Sequence, residues 1–205
     1  MTRITADISM SLDGYVTGPH PGLDSGLGQG GEALHTWAFS DDPQERRILS
    51  ESTARSGAVM LGRHLFDVVD GPAGWSDEVG YGAREVGKPS FIVVTSSPPR
   101  SVRLTELDWT FATTGLHDAV TTSRRRAEEA SSASGQDLDV VLMGGGAIIG
   151  SALAAGLLDV LTVHLAPVVL GGGTALFTTD MPRIALTQRS VTRTAAATHI
   201  TYGVH

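Results

Sequence analysis

From Val140 the chain reads VVLMGGGAIIGSALAAG, an apolar run, three glycines, then small residues at helical spacing. A buried strand that breaks on glycine and reopens as a helix restricts the chain to folds in which strands and helices alternate. Two uses of the triplet are open. Without a Cβ the backbone can approach a phosphate, and the N–H groups of a first helical turn attract an anion. The same glycines also permit tight packing of helix on strand. A second triplet, Gly171 to Gly173 in VVLGGGTALF, has a similar lead-in but no helix pattern behind it, and reads as a turn or bulge between strands.

The competing glycine motifs fail on spacing. A Rossmann fingerprint built on Gly144 and Gly146 needs glycine where Ile149 stands, and an acid about 20 residues on, where His164 stands. No Gly-Lys-Ser or Gly-Lys-Thr occurs, so the triplet is not a P-loop. Too little chain follows it to complete a doubly wound sheet.

The remaining elements follow from period and punctuation. Ile4, Ala6, Ile8 and Met10 alternate in a strand over 3–10. A glycine-rich segment without periodicity, 17–37, reads as a functional or mobile loop. Asp42 and Pro43 open a helix that Gly57 closes, and AVMLGR is a buried strand ending at Gly62. Strands are expected over 90–97 and 108–114, then a helix over 117–131 ended by Gly135, with Arg124/Glu128 and Arg125/Glu129 on its solvated face. Next come a strand over 139–143, a helix over 147–155, a strand over 157–170 and a terminal hairpin. This order predicts one α/β domain, residues 1–205, of three αβα layers, its mixed and mostly parallel sheet finishing antiparallel.

Composition serves to exclude. The net charge of −7 comes without a basic block, since Arg124 to Arg126 run into Glu128 and Glu129, so nucleic acid is not expected as a partner. The absence of cysteine removes disulfides, thiolate nucleophiles and cysteine-held zinc. The seven histidines show no HxH or HExxH spacing, so no metal site is expected, and His164 reads as a satisfied core residue. No apolar run reaches the roughly 20 residues of a membrane span, and the N-terminus lacks a signal-peptide pattern. A soluble, cytoplasmic protein is expected.

Five stretches, in order, carry a resemblance: ISMSLDGYVTG (8–18), VMLGRHLFDVV (59–69), VVTSSPP (93–99), VVLMGGGAIIG (140–150) and HLAPVVLGGGTALF (164–177). The set resembles the dihydrofolate reductase fold and, within it, the riboflavin-pathway reductase family. That resemblance implies NADPH as cofactor, a small heteroaromatic or aminopyrimidine substrate and a homodimer. It matches Gly62, Arg63 and His64 to a turn meeting the cofactor phosphates, with Arg63 either facing the 2′-phosphate or standing as a surface arginine. Leu65 stands where dihydrofolate reductases commonly carry threonine. Thr95, Ser96 and Ser97 match a hydroxyl loop beside the adenosine half, or form a plain turn before Pro98. Gly144, Gly145, Gly146, Ala147 and Ile148 match the pyrophosphate cradle. In MSLDG, Ser11, Asp13 and Gly14 resemble the loop beside the nicotinamide. Asp13 either contacts substrate or relays a proton there, or only opens a turn.

His35 and Trp37 are candidates to close over a flat substrate, or to anchor the loop that carries them. Glu45 and Glu51 occupy the helix from which dihydrofolate reductases draw a carboxylate, yet their charged context reads as solvated. The expected activity is therefore hydride transfer of the 5-amino-6-(5-phosphoribosylamino)uracil reductase type. Dihydrofolate reduction and non-catalytic NADPH binding are the alternatives.

Overall fold

The runs AVML and FIVV, apolar at every position, lie in Ser56–Gly62 (β2) and Ser90–Val94 (β3), where Ala58 to Leu61 and Phe91 to Val93 are fully buried. Strands covered on both faces read this way in parallel sheets, and these two do pair in parallel. The computed structural model describes residues 2–23, 25–72, 74–76, 80 and 88–205. The described residues hold eight strands and four α-helices, and the chain divides into two units, Met1–Ile4 with Ser50–Met143, and Thr5–Leu49 with Gly144–His205.

In the first unit the strands run in the order Trp109–Ala112 (β4), β3, β2, Asp139–Leu142 (β5), all parallel. The helices here are Arg63–Val69 (α2) and Leu116–Ser134 (α3). Val59, Leu61, Phe66, Val69, Phe91 and Val93 form a core with Trp75, Trp109 and Phe111 packed on it. Gly135 closes α3 at φ 69°, as its position in the sequence predicts. Gly57 does not close the preceding helix. Pro43–Ala54 (α1) ends earlier, and Gly57 lies inside β2, where a Cβ would stand 2.9 Å from Ala127 Cα and 2.9 Å from Leu138 Cβ. Asp139 fixes the start of β5 by accepting from Arg3 Nη2 at 2.7 Å and Arg55 Nη2 at 3.0 Å.

The second unit holds Ile4–Met10 (β1), Val160–Leu165 (β6), Thr198–Val204 (β8) and Leu186–Arg193 (β7), the last two forming the expected hairpin. β1 pairs with β6 in parallel, and β6 with β8 antiparallel. β6 is shorter than the predicted 157–170, because Ala166 N–H still bonds Met10 but Pro167 has no N–H to continue the ladder. The 17–37 segment, of which Asp24 lies outside the described residues, is cross-tied rather than structureless. Gly18 N–H bonds Leu27 O at 2.7 Å, Gln29 N–H bonds Pro19 O at 2.9 Å, and a 3-10 helix spans Gly31–His35. Asp42 caps α1 as predicted, its Oδ1 accepting from Gln44 N–H at 2.8 Å and Glu45 N–H at 3.3 Å. Among the eight strands of the described residues, antiparallel pairing is confined to β6, β8 and β7, with isolated antiparallel bridges at Tyr15–Ala175 and Gly22–Gly26, and among the described residues no helix is long and apolar enough to cross a membrane.

Candidate functional site

In the second unit the two triplets separate by what surrounds them. Gly144 and Gly145 take φ 124° and 83°, values open to glycine, and Gly146 begins the helix Gly146–Ala154 (α4). A Cβ on Gly145 would have only Ile148 Cγ2 near it, at 3.6 Å, so this backbone is bare toward its surroundings. A Cβ on Gly146 would stand 2.7 Å from Val16 Cγ2 and 3.3 Å from Ala175 O. Close packing is therefore carried by Gly146, while Gly145 is left open. Ile148 N–H bonds Gly145 O at 3.1 Å, while the N–H groups of Gly146 and Ala147 precede any carbonyl of the helix they could reach.

Gly171 to Gly173 form a turn with no helix behind it, and Gly173 sits where a Cβ would lie 1.9 Å from Thr17 O. This turn is held by Asp13. Its carboxylate accepts from Gly171 N–H at 2.7 Å and Leu170 N–H at 3.1 Å, while Leu12 N–H bonds Val168 O at 2.9 Å. Ser11 is buried, and its Oγ accepts from Tyr15 N–H at 2.9 Å. The Ser11 hydroxyl, followed by the two amides, pulls the Asp13 carboxyl from 3.8 down to about 2. At neutral pH Asp13 is an acceptor and a clamp, with no proton to donate. Gly14, at φ 87°, makes the turn between them, and its carbonyl accepts from Leu176 N–H at 3.0 Å.

In the first unit Arg63 opens α2. Its Nε meets Asp67 Oδ1 at 2.7 Å, and its Nη1 donates to Ser97 O at 2.9 Å. Thr95 Oγ1 donates to the same carbonyl at 2.8 Å and accepts from Ser97 N–H at 3.3 Å, a hydroxyl turn closed on itself. The side chains of His64, Ser96 and Ser97 are exposed, and Gly62 precedes the helix in extended conformation at φ −82°.

The polar centre of the second unit is a buried cluster of which the sequence announces His164 alone. His164 and His199 stand opposite each other on β6 and β8, Nδ1 to Nδ1 at 2.6 Å. His164 Nε2 lies 2.8 Å from Asp7 Oδ1, and His199 Nε2 lies 3.3 Å from Thr194 Oγ1. A carboxylate only accepts, so His164 donates from Nε2 and the pair is oriented from the Asp7 end. Burial, and after it the charge of His164, pushes His199 from 6.5 down to about 4. His35 is held below its ordinary value, first by burial and then by His164.

Trp37 is buried against this cluster. Its ring centroid is 4.0 Å from that of His164, and its Nε1–H donates to Ser9 Oγ at 2.9 Å. The open stacking face that the sequence suggests at Trp37 is thus already covered by an imidazole, and the residue fastens the 17–37 loop to β1 and β6. Glu45 likewise departs from expectation: it is buried rather than solvated, because α1 turns it toward the β7–β8 turn, where it accepts from Ala196 N–H at 3.2 Å. Burial raises its pKa, but hydrogen bonds from Ser40, Thr194 and Ala196 outweigh it, and the net shift is downward. Glu51 is exposed, as expected. His164 is the satisfied core residue that the sequence predicts, while Asp7 and Ser9, alternating with apolar residues in β1, carry a pattern that normally marks a solvent face.

Residues 2–200 match the RibD C-terminal domain. No match was found among curated proteins. Among solved structures the chain is similar to a protein from Shewanella sp. PV-4 assigned provisionally to riboflavin biosynthesis, at 19% identity and TM-score 0.67, covering 100% of this chain and 99% of that one. It is similar to a diaminohydroxyphosphoribosylaminopyrimidine deaminase/5-amino-6-(5-phosphoribosylamino)uracil reductase from Thermotoga maritima, at 13% identity and TM-score 0.61. That match covers 100% of this chain and 57% of the Thermotoga chain, so this chain spans somewhat over half its length. A dihydrofolate reductase from Enterococcus faecalis, complexed with NADP(H) and RAB-propyl, matches at 16% identity and TM-score 0.51, covering 98% and 96% of the two chains. The fold is that of dihydrofolate reductase.

Proposed function

The chain belongs to the RibD C-terminal domain family and is an oxidoreductase, and on that premise we propose that it is an NADPH-dependent reductase of a small aminopyrimidine or related heteroaromatic compound. The reaction class is that of 5-amino-6-(5-phosphoribosylamino)uracil reduction. The observation that carries the reading is the bare glycine turn at the head of α4, with Gly144 and Gly145 at positive φ and two first-turn N–H groups beyond them. The residues present fit a dinucleotide. In the second unit the Gly144 to Ile148 turn offers the Gly146 and Ala147 N–H groups to a pyrophosphate. In the first unit the turn of Gly62, Arg63 and His64 offers a guanidinium, and the loop of Thr95, Ser96 and Ser97 offers the exposed Ser96 and Ser97 hydroxyls, groups suited to a phosphorylated ribose.

When bound, the reduced nicotinamide supplies a hydride, and the protein's share is position and exclusion of water. Asp13, ionised, holds the Gly171 turn and presents acceptor oxygens rather than a proton, and Ser11 keeps it so. Gly14 shapes the same turn. Trp37 contributes by fixing the 17–37 loop on β1 and β6, and His35 lies within electrostatic reach of His164 and Asp7 beside it. The reading also takes the chain as a cytoplasmic homodimer, supported by β7, whose eight residues, Leu186 and Val191 among them, leave the edge beyond β8 without a partner strand among the described residues.

Thermal shift and 340 nm absorbance test the assignment. NADPH at 100 times its dissociation constant should add about 2.7 kcal/mol to stability, and an aminopyrimidine acceptor should then oxidise it catalytically. Gly145→Ala should cost about 1 kcal/mol of stability for its left-handed backbone and weaken NADPH at least tenfold. Failure of NADPH and NADH to bind at millimolar concentration would sink the dinucleotide reading. Binding without turnover of any pterin or aminopyrimidine would leave a non-catalytic binding protein.

A further inference from the structure

Arg63 and Asp67 lie one helical turn apart, in contact at 2.7 Å, with side chains 36% and 35% exposed and so within reach of a ligand. A lone arginine at such a position would select phosphate, because its fork of donors and fixed charge match phosphate oxygens. This arginine is not alone. A carboxylate touches its Nε, and the Ser97 carbonyl, already accepting from Thr95, occupies its Nη1 at 2.9 Å. The pair is neutral as a unit, and two of its donor directions end on oxygen.

We infer that Asp67 is a specificity-determining residue, one that limits the preference for a 2′-phosphorylated dinucleotide so that NADH is accepted alongside NADPH. The inference rests on the dinucleotide reading above. A 2′-phosphate brought to Arg63 is attracted by the guanidinium and repelled by the carboxylate at nearly the same range, so the two Coulomb contributions largely cancel. A 2′-hydroxyl meets no such repulsion, and can donate to Asp67 or to the Ser97 carbonyl. In Rossmann sites an acid selects the hydroxyl and an arginine the phosphate. Here both stand in one ion pair.

The test is the ratio of NADPH to NADH dissociation constants, measured at fixed ionic strength for the wild-type chain, Asp67→Asn, Asp67→Ser and Arg63→Ala. The wild type should favour NADPH by less than tenfold. Both Asp67 variants should raise that preference at least tenfold, through tighter NADPH with NADH little changed. Arg63→Ala should weaken NADPH and spare NADH. A wild-type preference for NADPH above a hundredfold, or a ratio unmoved by both Asp67 substitutions while both dinucleotides bind, overturns the inference and leaves the reductase reading intact. If the wild type binds neither dinucleotide, it is the reductase reading that falls. Asn is isosteric with Asp, and Ser supplies a second folded variant should Asn disturb α2.

Discussion

At the residue scale, adjacent glycines of one triplet stand in different surroundings. Gly145 is bare toward its surroundings, whereas Gly146 is bare because Val16 and Ala175 press on it. Gly146→Ala should therefore destabilise by about 1–3 kcal/mol through overpacking against a stiff β-branched side chain. Urea unfolding would check this, and an unchanged midpoint would show that Val16 yields freely. The triplet was readable as a strand-to-helix turn, but its unlike surroundings were not, since neighbours contributed from residues 16 and 175 have no local signature. Asp13 was half legible. Asp-Gly marks a turn, yet the grip on Leu170 and Gly171 spans 158 positions and follows only from the fold.

At the element scale, helix and strand existence was legible where period and punctuation agreed, as with α3 and its Gly135, the Asp42–Pro43 cap and the C-terminal hairpin. The errors fell where tertiary contacts overrule local signals: Gly57 reads as a stop but serves close packing under Ala127, and Pro167 cuts β6 short. The facing strands β6 and β8 bring a neutral His199 against His164, which gives the fold a pH dependence of defined sign. His199 binds its proton near pH 4 when folded and near 6.5 when unfolded, so its contribution is complete above 6.5 and is lost as pH falls from there to about 4. The loss is at most on the order of 3 kcal/mol, and His35 acts in the same direction. Asp13, Asp139 and Glu45, all shifted downward, add a further decline below about pH 4. Urea midpoints at pH 8, 6.5, 5.5 and 4.5 should fall across the last three. His199→Phe, if it folds, should flatten the descent above pH 5, and a flat wild-type profile from 6.5 to 4.5 would contradict the assignment.

At the scale of the whole molecule, an ordered set of weak motifs carried more than any one of them, because each fixes a turn at the end of a different strand. The class of the fold and its family were legible in that order. Of the Asp7–His164–His199 cluster only the burial of His164 was legible, since Asp7 and His199 look like ordinary polar positions until β1, β6 and β8 are set side by side. Light scattering tests the proposed homodimer, for which a mass near twice 21.4 kDa is expected and a mass of 21.4 kDa would exclude it. The second unit is also discontinuous in sequence, joining Thr5–Leu49 to Gly144–His205. Asp7 and His164 are 157 positions apart, so at ribosomal speeds the first strand waits roughly 10–30 s for its neighbour to be made. During that interval β1 has no β6 to pair with, while most of the first unit is emerging as one stretch. Translation rate and chaperone supply thereby become determinants of yield for this chain.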